Sequence, residues 1–294
     1  MKTALATYKL KIESPIDILI HRINKFILGG EKANEIKFFL HGRQLKKKYF
    51  KDGFWNFNGI RLPFYSPDSS AGLMYLVYLD SLFVYCIHND NYDSSLIDQL
   101  DTYLPEGTYG YQNKDMDVTV KENDVIIDAG AWIGDFSAYA SVKGAMVYAF
   151  EPSEENVGYL NKTKELNKNI EVVAKGLGDK SEISFFSNKL QNSLIYQITN
   201  DKTNSEKIEV TTIDDFVSEN KLGSVDFIKA DIEGFERNML TGAKETLKRF
   251  GPKLAICTYH LPDDPEVLAK IILDANPNYI IVQKRKKLYA MVKK

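Results

Sequence analysis

The chain has 294 residues, 44% hydrophobic and 27% charged, with a formal net charge of -2 at pH 7. That mixture belongs to a folded globular protein, and it leaves no overall field to gather nucleic acid or an anionic membrane. The two cysteines, Cys86 and Cys257, sit in apolar runs, which excludes a disulfide framework and reads as core thiols in a reducing compartment.

The stretch from Met1 to Lys9 lacks a sustained apolar core, so no signal peptide is expected. No apolar run approaches the ~20 residues that span a bilayer. A cytoplasmic protein is the expectation. Ser14-Pro15-Ile16-Asp17 has the makings of a helix start: a cap, a proline at the first position and an acid in the first turn. Ile16, Leu19, Ile20, Ile23, Phe26 and Ile27 give that helix one apolar face, and Gly29-Gly30 ends it. A second helix is expected over Ala33 to Leu40. Arg43, Lys46, Lys47, Lys48 and Lys51 then crowd together, which reads first as solvated surface and second as a patch for an acidic substrate or anionic surface. Trp55 to Leu62 alternates around Asn58-Gly59 and predicts a strand or hairpin. Leu73 to Ile87 fits strand and helix equally, and Asp93 to Leu100 reads as helix. Tyr109 and Tyr111 precede the first core strand, where they would pack in the core or cover a ligand.

The chain turns on Asp124 to Ser137. Val125 to Ile127 is a short, β-branched run of the kind buried on both faces of a parallel sheet, and it ends in Asp128. Gly130 and Gly134 frame a tight turn, and helical spacing begins at Asp135 with Phe136, Tyr139 and Ala140 on one side. This strand, turn and helix form the nucleotide corner of a doubly wound sheet, with glycine expected so that a ligand can approach the backbone. The spacing is not the G-x-G-x-x-G of a dinucleotide cradle, and an acid beside the turn would repel a pyrophosphate. A cationic donor such as S-adenosylmethionine tolerates that acid. The second run, Met146 to Phe150, ends in Glu151, placed to accept both hydroxyls of a ribose. Either acid alone could be an ordinary strand-end residue; the pair is more telling.

A helix is expected over Glu154 to Leu166 and a third strand over Ile170 to Ala174. Asp179 follows in Gly176-Leu-Gly-Asp, where it could accept from an adenine amino group or serve only the turn. Ile183 to Phe186 and Ile208 to Thr212 read as extra strands, with Asn188 to Ser205 between them as a mobile loop over the substrate side. Val225 to Ala230 is the fourth core strand, followed by one amphipathic helix over Phe235 to Leu247. Lys253 to Thr258 is the fifth strand. Pro265 to Leu273 is helical, and Asn278 to Val282 with Lys287 to Val292 form an antiparallel pair at the sheet edge.

Ligands of open α/β sheets sit outside the carboxyl ends of the strands. Four strands end in Asp128, Glu151, Asp231 and His260, which therefore converge. Asp231, Glu233 and His260 carry the acid–base potential, with His260 as candidate base held by a carboxylate. The plainer readings are a structural histidine and helix-capping acids. A divalent metal held by two carboxylates and an imidazole is a weaker third reading, and no metal ligand is assigned.

At these residues the chain resembles the FkbM family of class I methyltransferases. The blocks that carry the likeness are Val125 to Ser137, Val147 to Pro152, Val210 to Phe216, Asp226 to Glu236 and Tyr259 to Asp264, within about Tyr109 to Ala290. Asp231-Ile-Glu-Gly-Phe-Glu236 is the most specific. Trp132 departs from the family, whose members often carry a small polar residue there. The resemblance implies a Rossmann-like, mostly parallel seven-stranded α/β sheet. It implies S-adenosylmethionine as donor, S-adenosylhomocysteine as product and O-methylation of sugar or natural-product hydroxyls. Asp128, Gly130, Gly134, Asp135, Phe150, Glu151 and Asp179 would then fall in the donor site, and Asp231, Glu233 and His260 would face the acceptor. The acceptor would be a small molecule or saccharide, with no nucleic acid partner, and a homo-oligomer is allowed. Residues 1–108 would be an α+β extension and residues 109–294 the donor-binding domain. The alternatives are N-methylation, methylation of a carboxyl or non-sugar hydroxyl, and a non-catalytic binding protein on the same scaffold.

Overall fold

A computed structural model of the chain describes residues 47, 49–57, 59–64, 109–188, 196–199 and 206–293. The expected helices from Ser14, Ala33 and Asp93, the Leu73–Ile87 run, Cys86 and most of the basic stretch lie outside them. The chain divides into two compact units, residues 1–59 with 63–108, and residues 60–62 with 109–294. The expected hairpin around Asn58-Gly59 resolves into strands Phe54–Phe57 and Ile60–Pro63, and the Gly59 amide donates to Asn56 Oδ1 at 2.8 Å. No helix among the described residues is long and apolar enough to cross a membrane.

The larger unit is built on a seven-stranded sheet. Its strands in chain order are Val125–Ala129, Met146–Phe150, Ile170–Val173, Phe227–Ala230, Lys253–Cys257, Tyr279–Lys284 and Lys287–Val292. In space they run sixth, seventh, fifth, fourth, first, second, third. All lie parallel except the seventh, which is antiparallel to both neighbours. The order reverses between the first and fourth strands, which opens a crevice at their carboxyl ends.

Alternation explains why these runs form the centre. Ile127, Ile228, Leu254 and Ile256 pack into one core layer, with Leu268 and Ile272 from a covering helix. Ile126, Phe227, Ala255 and Cys257 face the other layer, with Phe136 and Ala140. Successive residues of one strand enter opposite cores, so the strands have no polar face to alternate with.

Two expectations change. Part of the Asn188–Ser205 stretch is a strand, Tyr196–Thr199, paired antiparallel with Glu182–Asn188. It belongs to a four-stranded sheet with Glu206–Thr211 and Gly176–Leu177. The expected helix over Phe235 to Leu247 is two helices, Glu236–Thr241 and Lys244–Phe250. Gly242 lies between them. Its carbonyl accepts from Asp214 N at 3.0 Å, and a Cβ there would stand 2.1 Å from the Gly178 oxygen. Backbone packing across Gly242 therefore wins over a continuous apolar stripe. Ile213–Glu219 is a helix the pattern left unassigned, begun by Thr212, whose hydroxyl accepts from Asp215 N at 2.9 Å.

The glycine turn follows Ala129 as expected, for a different reason. Gly130 has φ +72, and a Cβ on it would meet the Asp231 carbonyl oxygen at 2.0 Å. Gly134 has φ +87, and its Cβ would meet Leu160 at 2.6 Å. Both glycines are required by the protein's own packing before any ligand arrives. Gly130→Ala should therefore destabilise the ligand-free protein, by about 3 kcal/mol or more in urea unfolding. Unchanged ligand-free stability would return this glycine to a purely ligand-facing role.

Candidate active site

Asp128 closes the first strand and is fully buried. Its Oδ1 lies 3.0 Å from Lys229 Nζ, and its Oδ2 accepts from Ser137 Oγ at 2.6 Å. Lys229 enters from the fourth strand, opposite Asp128 in register, and donates to the Gly130 carbonyl at 2.6 Å. Burial opposes the lysine's charge, but Asp128, Asp231 and Asp135 hold the proton on. The carboxylate expected to face a cationic donor is thus already neutralised by an internal cation. Its work is to fix the turn through Lys229.

Glu151 ends the second strand and is buried. Its Oε2 accepts from Trp132 N at 3.0 Å, and its Oε1 accepts from Ser153 N at 3.0 Å and Asn156 Nδ2 at 3.3 Å. Trp132 reaches that bond with φ +51, a left-handed conformation that costs energy for a bulky residue. Burial pushes the Glu151 carboxyl up to about 7, against those three donors and Lys229. Asp135, at the start of its helix, is buried and pushed to about 6 by burial, with Lys229 opposing and Asp128 adding.

Phe150 and Asp179 have partners within the protein. The Phe150 ring is 1% exposed and packs edge-on against Phe216 at 4.8 Å. What it gives the turn is its carbonyl, which accepts from Gly130 N at 3.0 Å and Ala131 N at 2.9 Å. Asp179 is exposed and accepts from Asn238 Nδ2 at 3.2 Å.

Across the crevice, the structure brings Asp231, Glu233 and His260 together. His260 Nε2 lies 3.3 Å from Glu233 Oε2 and 3.7 Å from Asp231 Oδ1, while Nδ1 lies 3.0 Å from Glu236 Oε1. Glu236 is fully buried and accepts from Ile232 N at 2.9 Å and Gly234 N at 3.0 Å, so it ties the turn into one unit. Both Asp231 oxygens receive phenols, Tyr109 at 2.7 Å and Tyr259 at 3.0 Å. Burial works to raise the Asp231 carboxyl. Lys229, Lys287, the Tyr109 hydroxyl and His260 outweigh it and hold the group below its ordinary value. Glu233 is 30% exposed and sits at φ +56 ahead of Gly234 at φ +100.

His260 is pushed up to about 10. Burial opposes its charge, but Glu233, Glu236 and Asp231 surround it. A value raised to about 10 by the surrounding carboxylates disfavours the base role expected of this ring, because it favours the protonated imidazole at neutral pH. The ring lies within ion-pair distance of three carboxylates. Asp231, Glu236 and His260 could each offer one ligand atom within 4.8 Å of the others, but a metal there would have to displace that proton and compete with phenol and amide donors.

Sequence reasoning missed Lys229, Glu236 and Lys287. The signal was present for Lys229: a lysine inside Phe227-Ile-Lys-Ala230, a run buried on both faces, demands a buried acid.

The methyltransferase FkbM domain matches residues 128–281. The hexuronic acid methyltransferase AglP of Haloferax volcanii is 26% identical over 157 residues, 53% of this chain and 64% of that protein. The chain thus spans somewhat less than two thirds of that curated relative. The crystal structure of methyltransferase FkbM from Methylobacillus flagellatus superposes with a TM-score of 0.48 at 20% identity, covering 88% of this chain and 60% of that one. A SAM-dependent methyltransferase from Aquifex aeolicus gives 0.35 at 21% identity, over 69% and 100%.

Two outcomes follow from the buried charges. Lys229→Met strands the Asp128 carboxylate and should cost about 3–5 kcal/mol in chemical unfolding, while the Asp128→Leu/Lys229→Met pair should recover part of that loss. For His260, the folded value of about 10 lies above the ordinary 6.5. Its contribution to stability is therefore complete below about 6.5 and lost as pH rises through about 10. The melting temperature of His260→Gln should fall less steeply than wild type across that window, and parallel curves would refute the cationic assignment.

Proposed function

Because this chain belongs to the methyltransferase FkbM family, we propose that it transfers a methyl group from S-adenosylmethionine to an oxygen of a saccharide or glycosylated small molecule. The observation that carries the reading is Glu151, a buried carboxylate at the second strand end whose Oε2 receives a single amide. Burial that lifts its carboxyl to about 7 leaves it in need of donors, and vicinal ribose hydroxyls are suited to that need. The Gly130–Gly134 turn would line the same site, and the free oxygen of exposed Asp179, whose Oδ1 accepts from Asn238, would be the one to meet an adenine amino group. Asp128 and Phe150 would act through the turn. The relative AglP is named for a hexuronic acid, which supports a sugar as the acceptor class.

S-adenosylmethionine supplies an electrophilic methyl on a sulfonium, whose sulfur keeps the electron pair as the bond breaks. The chain must hold the acceptor oxygen in line and take its proton. Glu233 is the carboxylate best suited to that proton. It is part-exposed, whereas Asp231 is engaged by two phenols and Glu236 is buried under two amides. His260 would orient Glu233 through the Nε2 edge that lies 3.3 Å from its Oε2.

The cationic state of His260 favours a second reading, in which the acceptor oxygen is a carboxylate that arrives ionised and needs no base. Glu233→Gln separates the two. It should slow methylation of a hydroxyl by roughly 10²–10⁴-fold and leave a carboxylate acceptor near wild type, measured by label transfer from S-adenosylmethionine.

S-adenosylhomocysteine should raise the melting temperature of the wild type, and Glu151→Ala should weaken its binding by about 10–100-fold. A wild-type protein indifferent to S-adenosylhomocysteine would overturn the methyl-transfer reading.

A further inference from the structure

The acceptor side has a cationic rim that the transfer chemistry does not use. The sixth and seventh strands meet at Gln283-Lys284-Arg285-Lys286-Lys287, four consecutive cations in a tight turn with Arg285 at φ +57. The sixth strand runs in the same direction as the fifth, so this turn lies at the carboxyl edge, where the crevice is. It is tied down there. Thr258 N donates to the Lys286 carbonyl at 2.9 Å, and Gln283 Nε2 donates to Thr258 Oγ1 at 2.7 Å and the Arg285 carbonyl at 3.1 Å.

The anchored residue is next to the reactive cluster. Lys286 Nζ stands 5.2 Å from the centre of the Tyr259 ring, whose hydroxyl donates to Asp231 and whose ring lies 4.2 Å from that of His260. Beneath, buried Lys287 stands 4.4 Å from the Tyr109 ring, whose hydroxyl takes the other Asp231 oxygen. Lys284 and Lys286 are exposed, and among the described residues no carboxylate lies within ion-pair distance of either.

Charge balance gives this arrangement a purpose. Asp231 and Glu233 are the carboxylates that reach the approach, with buried Glu236 behind them, and together they outnumber the one imidazole they share, so a negatively charged acceptor would be repelled unless further cations flanked its path. A neutral acceptor would gain nothing from two unpaired lysines fixed at the mouth. We propose that the acceptor is an anionic saccharide bearing a carboxylate or phosphate, and that Lys284 and Lys286 receive that group at the rim. This deepens the methyl-transfer reading and rests on it.

The test uses the full chain. A cell lysate is digested with nuclease and protease and split on an anion exchanger. Each fraction is then offered as acceptor with methyl-labelled S-adenosylmethionine. Label should enter saccharide of the retained fraction. The Lys284→Glu/Lys286→Glu variant should lose about tenfold or more of the rate at low acceptor concentration. Its melting shift with S-adenosylhomocysteine should match wild type, which shows that the variant is folded and its donor side intact. Phosphatase treatment of the retained fraction should abolish acceptance by a phosphorylated saccharide, and chemical reduction of carboxyls should abolish it for a uronate. Label confined to the unretained fraction, loss of acceptance in the digested lysate relative to the undigested one, or an undiminished rate in the double variant overturns the anionic saccharide and leaves methyl transfer standing. No label from digested or undigested lysate, despite S-adenosylhomocysteine binding, overturns both.

Discussion

The pairing of Asp128 with Lys229 is the interaction on which the rest of the site depends. It joins the two strands between which the sheet order reverses, at the depth where the crevice begins. Burying two ions is costly, and their mutual attraction offsets that cost only when the remaining donors are also used. Here Lys229 also binds the Gly130 carbonyl, and Asp128 also binds the Ser137 hydroxyl. One ion pair therefore connects the first strand, the glycine turn, the helix behind it and the fourth strand. A hydrophobic pair of equal volume could fill the space, but it could not aim a carbonyl.

Much of the fold was legible because it rests on local periods. The Val125–Ala129 and Phe227–Ala230 strands are short apolar runs, and their turns are marked by glycine or an acid. The Glu154–Leu166 helix carries acids in its first turn and Lys164 in its last, the charges its dipole favours. What escaped depends on contacts distant in the chain. Gly242 breaks a helix because Gly178 presses on it from 64 residues earlier, and no local pattern records that. The Tyr196–Thr199 strand is short and exists through its pairing with Glu182–Asn188. Among the site residues, the convergence of Asp231, Glu233 and His260 was readable from strand ends. The raised value of His260 was not, because Glu233 is joined there by Glu236, a helix-start acid that turns inward.

Charge in the crevice is sorted by depth. A buried layer holds Asp128 and Lys229, 3.0 Å apart. The middle layer sets Asp231, Glu233 and Glu236 around His260, with Lys287 behind Tyr109. The rim carries Lys284 and Lys286, which have no carboxylate partner among the described residues. Unmatched charge is cheapest where water still reaches it, and that is also where an incoming molecule first meets the protein. The negative net charge of the chain does not describe this local order, because the field at a crevice is set by its nearest groups.

The two halves of the site are not independent. Gly130 belongs to the glycine turn, and the backbone it abuts is that of Asp231, whose side chain belongs to the His260 cluster. Glu236 then links the Asp231 turn to His260 through Ile232, Gly234 and the ring itself. Methyl transfer asks for a fixed separation between donor and acceptor atoms, held to a fraction of an ångström. A backbone-to-backbone contact sets such a gap more rigidly than side chains that can change rotamer. The absence of a Cβ at Gly130 is therefore a distance constraint. The glycine allows the two strand ends to approach, and the turn that follows, with Glu233 at φ +56, holds a carboxylate 3.3 Å from His260.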